Sequence, residues 1–94
     1  MIRSFKDRTT ELVFQGHGPK GFPSDLVRIA RRKLGYLDAA VDLRDLRVPP
    51  GNRLEALVGD RQGRHSIRIN DQFRLCFTWT REGPTNVEIV DYHS

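Results

Sequence analysis

Four arginines, Arg61, Arg64, Arg68 and Arg74, follow one another at short intervals, and the chain ends on Asp91-Tyr92-His93 before a last serine. Guanidinium groups stabilise charge that builds on phosphate oxygens. An imidazole, with a reference pKa of about 6.5, gives or takes a proton near neutrality. A phenol stacks on a base or donates a hydrogen bond. Together these groups meet the needs of RNA strand cleavage, in which a 2′-hydroxyl loses a proton, a phosphorane is stabilised and a 5′-oxygen gains a proton. The competing reading is an ordinary solvated surface for the arginines and a frayed tail for the terminal triplet. Other chemistries find no pattern. His17, His65 and His93 lack metal-ligand spacing, Cys76 stands alone, and neither a phosphate-cradling glycine loop nor a nucleophile elbow is present. No metal and no cofactor is expected.

These groups need a sheet to gather them, and the stretch His65 to Trp79 supplies its centre. Ile67 and Ile69, then Phe73, Leu75, Phe77 and Trp79, alternate with polar residues in the period of a strand with one buried face. Asn70-Asp71-Gln72 between the two runs predicts a hairpin turn. A three-residue loop pairs Ile69 with Phe73 and Ile67 with Leu75, so that all face one core; a two-residue loop would turn one strand's apolar set outward. The same register sets Arg68 opposite Arg74 on the other face, beside Ser66 and Cys76. Like charges directly opposed are mildly unfavourable. Either the pair is kept for a polyanion, or both groups splay toward water or carboxylates elsewhere.

Around this hairpin the rest of the chain falls in order. Met1 to Phe5 reads as a short strand, and Lys6 to Phe14 as a helix ended by Gly16-His17-Gly18-Pro19. Ser24 is a plausible N-cap for a second helix, whose apolar stripe is Leu26, Ile29, Ala30, Lys33, Leu34 and Leu37. Arg28, Arg31 and Arg32 fall on its opposite side, a solvated face or a contact for RNA or an acidic partner. Asp42 to Leu46 predicts one more helical turn before Pro49-Pro50-Gly51. Leu54 to Leu57 reads as a strand, Gly59 to Arg64 as a basic connection, Arg81 to Thr85 as a loop and Asn86 to His93 as the last strand. Pairing Phe77 with Ile89 would set Tyr92 opposite Arg74. The fold class is α+β, with an N-terminal strand and two helices packed on one face of a small antiparallel sheet, in a single domain over residues 1–94.

Composition agrees with a soluble globular chain. No run of about 18 apolar residues exists to span a membrane, the start lacks the apolar core of a signal peptide, and a lone cysteine fits a reducing cytosol. The formal charge is +4, carried by thirteen arginines against three lysines. Arginine offers phosphate a rigid bidentate fork, which favours a nucleic-acid partner, although genomic GC bias also raises the arginine count.

Three segments then carry a resemblance: Arg53-Leu54-Glu55-Ala56-Leu57-Val58-Gly59-Asp60-Arg61, Ser66 through Arg74, and Val87 through His93. With Arg32-Lys33-Leu34, Leu37-Asp38-Ala39-Ala40 and Pro49-Pro50-Gly51-Asn52-Arg53-Leu54, they resemble the HigB-type toxins of the RelE/ParE superfamily, in order along nearly the whole chain. The resemblance implies a cytoplasmic toxin of a type II toxin–antitoxin system, a ribosome-dependent mRNA endonuclease that blocks translation. It implies a HigA-type helix-turn-helix antitoxin, the ribosomal A site with its mRNA, and operator DNA reached through the antitoxin as partners. Asp91, Tyr92 and His93 match the family's C-terminal end and Arg74 and Arg68 its hairpin arginines, which gives His93, Asp91, Tyr92 and Arg74 as catalytic candidates. Arg61, Arg64 and Arg68 are the RNA-binding candidates. Two positions depart from the pattern: Val58 stands where many relatives carry lysine, and Glu55 where some carry histidine. A missing cation would weaken phosphate stabilisation by on the order of 1–3 kcal/mol. Two alternatives stay open: an attenuated, non-catalytic module that binds antitoxin and operator, and a ParE-like gyrase poison.

Overall fold

The computed structural model describes residues 1–92. Two α-helices, α1 (Arg8–Phe14) and α2 (Val27–Ala39), precede four strands, β1 (Glu55–Ala56), β2 (His65–Arg68), β3 (Phe73–Thr80) and β4 (Gly83–Asp91). The strands form one antiparallel sheet in sequence order, β1-β2-β3-β4. The central hairpin has the expected register. Ile67 faces Leu75, Arg68 faces Arg74, and the Ile69 amide donates to the Phe73 carbonyl at 3.0 Å. Asn70 closes the turn, its Oδ1 accepting from the amides of Gln72 and Phe73 at 2.9 and 2.7 Å.

The helices cover the face carrying Ile67, Leu75, Phe77 and Val87, where Ala30, Leu34 and Leu37 of α2 and Val13 of α1 complete the core. Leu34, Leu37, Ile67, Leu75 and Phe77 are wholly buried. The stripe on α2 is as expected, and Arg28, Arg31 and Arg32 are exposed on its far side. The expected cap at Ser24 is absent. A 3-10 turn, Ser24–Leu26, leads directly into α2, and no side chain caps that helix. The turn already supplies helical backbone bonds, so a capping hydroxyl has no role there. Side-chain caps occur elsewhere: Asp7 accepts from the Thr10 amide at the start of α1, and Asp42 with Asp45 makes a reciprocal capping box on the turn Leu43–Arg47.

The N-terminal stretch makes a single parallel bridge, Phe5 to Val87, beside β4. It is fastened by Arg3 N–H to the Pro84 carbonyl, Val87 N–H to the Ser4 carbonyl, and Ile2 N–H to Asp38 Oδ1. The close approach depends on Gly83, whose φ is +124°; a Cβ there would lie 2.4 Å from the Met1 carbonyl oxygen. Pro84 fits the same edge. Its carbonyl points outward to Arg3, so the amide hydrogen it lacks would also point away from β3.

The β3–β4 connection is shorter than the expected loop Arg81 to Thr85. The strands close after Arg81 and Glu82, with Thr80 facing Gly83, and Thr80 Oγ1 ties the turn by donating to the Gly83 carbonyl and accepting from the Glu82 amide. The ladder then shifts between Cys76 and Thr78, near Asn86, whose φ is 51°. Ile89 therefore faces Leu75 instead of Phe77, and Val90 instead of Tyr92 faces Arg74. The two-residue turn moves the pairing of Thr78 to Thr80 by three places and the shift between Cys76 and Thr78 returns one, so Phe73 to Cys76 sit two places from the expected pairing and keep the intended faces. Replacing Gly83 by alanine should destabilise the fold by about 1–3 kcal/mol, read as a lower urea midpoint at unchanged slope.

Candidate functional site

The face of the sheet turned away from the helices carries Glu55, Ser66, Arg68, Arg74, Cys76, Glu88, Val90 and Tyr92 by register and strand alternation. It is the face on which β2 and β3 oppose two guanidinium groups, and the opposition is resolved by separate acceptors. Arg68 pairs with Asp71 in the hairpin turn. Arg74 folds inward: its Nε donates to Ser66 Oγ at 2.7 Å, and its Nη2 donates to the carbonyls of Arg53 at 2.7 Å and Ser66 at 3.4 Å. Glu55 Oε1 lies 3.6 Å from Arg74 Nε. The Arg74 side chain is 12 % exposed. Ser66 itself is wholly buried beneath it.

A second cluster lies alongside. Arg61, in the turn Gly59–Arg61, donates from Nη1 to the Tyr92 hydroxyl at 3.0 Å, and its Cζ sits 5.4 Å from the centre of the Tyr92 ring. The same hydroxyl is 3.7 Å from the buried Cys76 Sγ. Burial, reinforced by the neighbouring thiol, pushes the Tyr92 phenol above its ordinary range, with Arg61 opposing the shift. Burial likewise raises the Cys76 thiol. Both groups are therefore protonated at neutral pH, and Tyr92 offers a phenol, not a phenolate.

Arg64 has a different setting. It donates to Thr78 Oγ1 at 3.1 Å, the Asn86 carbonyl at 2.9 Å and Glu88 Oε2 at 3.0 Å. Lys6 Nζ meets the same Glu88 oxygen at 3.3 Å. Arg64 thus clamps the basic turn onto β3 and β4. Asp91 faces Phe73 and so lies on the alternate side of the strand from Tyr92; the Gln72 side-chain amide donates to its Oδ2 at 3.1 Å, while the Tyr92 amide donates to the Gln72 carbonyl at 2.7 Å. His93 lies outside the described residues. Of the predicted residues, then, Arg61 and Tyr92 meet directly, Arg68 and Arg74 share their face, Arg64 braces it and Asp91 holds the strand's end. Sequence reasoning missed the Arg53 carbonyl and Glu88. Neither carries a signal of its own, since one is backbone and the other is one carboxylate among many.

Val58 sits at the start of the Gly59–Arg61 turn and is 84 % exposed. A separate open concavity of about 490 Å³ lies on the helical side, lined by Gly16, Ser24, Val27, Arg28, Arg31 and Arg32. Among the described residues no group of histidines, cysteines and carboxylates could hold a metal ion, and no helix is long and apolar enough to cross a membrane.

A four-stranded antiparallel sheet backed by two helices is consistent with a RelE-like toxin, and residues 3–93 match the family model described as the RelE-like toxin of the type II toxin-antitoxin system HigB. The chain belongs to that family. It is 44 % identical over 80 residues to Toxin HigB-1 of Vibrio cholerae serotype O1, a match covering 84 % of each chain. It is 30 % identical over 97 aligned residues to Endoribonuclease HigB of Proteus vulgaris, covering 99 % of this chain and all of that one. Membership of a toxin–antitoxin family implies a cognate antitoxin as partner.

The Arg61–Tyr92 contact has a spectroscopic consequence. Because burial raises the Tyr92 phenol and Arg61 holds it down, Arg61→Ala should move its ionisation to still higher pH in an ultraviolet titration. In the native protein the raised folded-state value means that Tyr92's contribution to stability is complete below its unfolded value of about 10 and falls as pH rises through the folded one.

Proposed function

We propose that the chain is a ribosome-dependent mRNA endonuclease acting on mRNA in the A site and that the open sheet face is its active site. The supporting observation is the constellation itself: Arg74 oriented at the sheet surface, Arg68 opposite it, and a protonated Tyr92 held by Arg61, in a chain whose 30 % identical relative is named an endoribonuclease. In the reaction the 2′-oxygen attacks phosphorus, the bond to the 5′-oxygen breaks, and one proton leaves the 2′-hydroxyl as another reaches the leaving oxygen. Arg74 and Arg68 stabilise charge on the non-bridging oxygens. Tyr92 stacks on or orients a base, and as a neutral phenol it is a hydrogen-bond donor rather than a base. His93 handles the proton transfers, and Asp91, with Gln72, holds the strand end that carries it. Arg61 contacts the RNA backbone from the basic turn that Arg64 fixes in place. The exposed face of Arg28, Arg31 and Arg32 meets ribosomal RNA. Free RNA is a poor substrate in this reading, because the ribosome orients the 2′-hydroxyl for in-line attack. The proposed partners are a HigA-type helix-turn-helix antitoxin and, through it, operator DNA, and the proposed compartment is the cytoplasm.

Val58 supports a second reading, a toxin of reduced catalytic power that acts mainly through its antitoxin and operator. An aliphatic side chain, 84 % exposed, opens the turn that carries Arg61, at the position where the family resemblance implies a lysine.

Primer extension on translating ribosomes distinguishes the two. The native chain should give codon-phased cuts, and Arg74→Ala should reduce them by about 10²–10³-fold. No cuts under growth-inhibiting expression would rule the nuclease out, and a supercoiling assay would then test gyrase. Val58→Lys should raise the cleavage rate by roughly tenfold if a phosphate contact is restored; an unchanged rate would remove the basis for attenuation.

A further inference from the structure

The apolar stripe of α2 contains one residue that does not belong there by chemistry. Lys33 is 5 % exposed, among Ala30, Leu34 and Leu37. Burying an ammonium group is costly unless it is well bonded, and burial, with Arg32 and Arg68 nearby, pushes Lys33 below the usual lysine range. Its Nζ donates to Asn52 Oδ1 at 2.7 Å. Asn52 is wholly buried, and its Nδ2 donates to the carbonyls of Leu46 at 3.1 Å and Val48 at 3.2 Å. One side chain thus clasps the loop between the Leu43–Arg47 turn and β1 and joins it to α2.

The next residue explains why such a clasp is needed. Arg53 takes φ 46° and ψ 58°, a left-handed conformation that a residue with a side chain adopts at a cost. Strain of this kind persists only where the surroundings over-determine it. Its product is the direction of the Arg53 carbonyl, which accepts from Arg74 Nη2 at 2.7 Å. With Ser66 Oγ on Nε, that carbonyl sets the tilt of the guanidinium plane. None of these bonds uses Nη1.

We infer that Lys33 and Asn52 are positioning residues, which hold the Arg53 carbonyl where it orients Arg74 toward the scissile phosphate. The inference deepens the proposed function, since it rests on Arg74 contacting the phosphate. A guanidinium already fixed in place need not reorganise as charge develops, which is how a group remote from the substrate affects a rate.

The test has two arms on the full-length chain. Lys33→Met keeps the aliphatic stem and removes the ammonium; Asn52→Asp keeps an acceptor for Lys33 but loses the two donations to the loop. In ¹⁵N NMR, with the Arg74 Nε–H signal identified by its loss in Arg74→Lys, both variants should shift that signal and speed its exchange with water. The Arg64 Nε–H signal should stay in place. In single-turnover cleavage of A-site mRNA at saturating toxin, each should lower the rate roughly tenfold with half-saturation unchanged, and neither should lower it further in an Arg74→Ala background. An undisturbed Arg74 signal in folded variants, or a rate loss that persists without Arg74, would overturn the proposal. Should Lys33→Met fail to fold, Asn52→Asp decides; failure of both would assign the pair to stability alone. If the native chain cuts no A-site mRNA, the nuclease reading fails and the NMR arm still decides whether the pair positions Arg74.

Discussion

The pairing of Ile67 with Leu75 is the constraint from which the rest follows. It places a row of apolar side chains under the helices, and strand alternation then sends the intervening residues to the other side. A slip of one residue would turn one strand's apolar set outward and bury that strand's arginine, so the register is set by the hydrophobic term and not by the charges. Two opposed guanidinium groups are a consequence that the core imposes on the open face.

The fold makes that consequence useful by giving each cation its own acceptors. Arg68 turns to Asp71, Arg64 to Glu88, Arg61 to the Tyr92 phenol, and Arg74 to a serine and a backbone carbonyl. Neutral acceptors orient a guanidinium without cancelling its charge, whereas a carboxylate does both. Arg61 therefore keeps most of its field for an incoming anion, and Arg74, with Glu55 at 3.6 Å, keeps part of it; Arg64 and Arg68 each share theirs with a carboxylate. Arginines that look alike in the chain thus differ in setting, and Arg64, tied to Thr78, the Asn86 carbonyl and Glu88, is the one built in as a brace. Glu55, 3.6 Å from Arg74 Nε, is the local counterweight.

The supporting architecture depends on backbone geometry at two positions. Gly83 lets the first residues lie against β4, and Arg53 bends into a left-handed conformation to aim a carbonyl. Both features join parts of the chain far apart in sequence. The buried Lys33–Asn52 pair belongs to the same scheme, a polar contact inside an apolar layer that specifies one loop position.

Local periodicity and turn chemistry were enough to specify part of this protein. The alternation from Ile67 to Trp79 specified the hairpin and its faces, Asn70 its loop, the stripe from Leu26 to Leu37 the main helix, and the quoted segments the family. The tertiary structure decided everything that depends on meeting residues distant in the chain. A two-residue turn and a shift near Asn86 set β4 two places from its expected pairing, because loop length is governed by the bonds Thr80 makes, not by glycine and proline content. How Arg64 and Arg74 are held was settled by Glu88, Ser66 and the Arg53 carbonyl, partners whose proximity no spacing encodes. Hydrophobic pattern is a one-dimensional property and survives in the sequence; the orientation of a charged group is set by three-dimensional neighbours and does not.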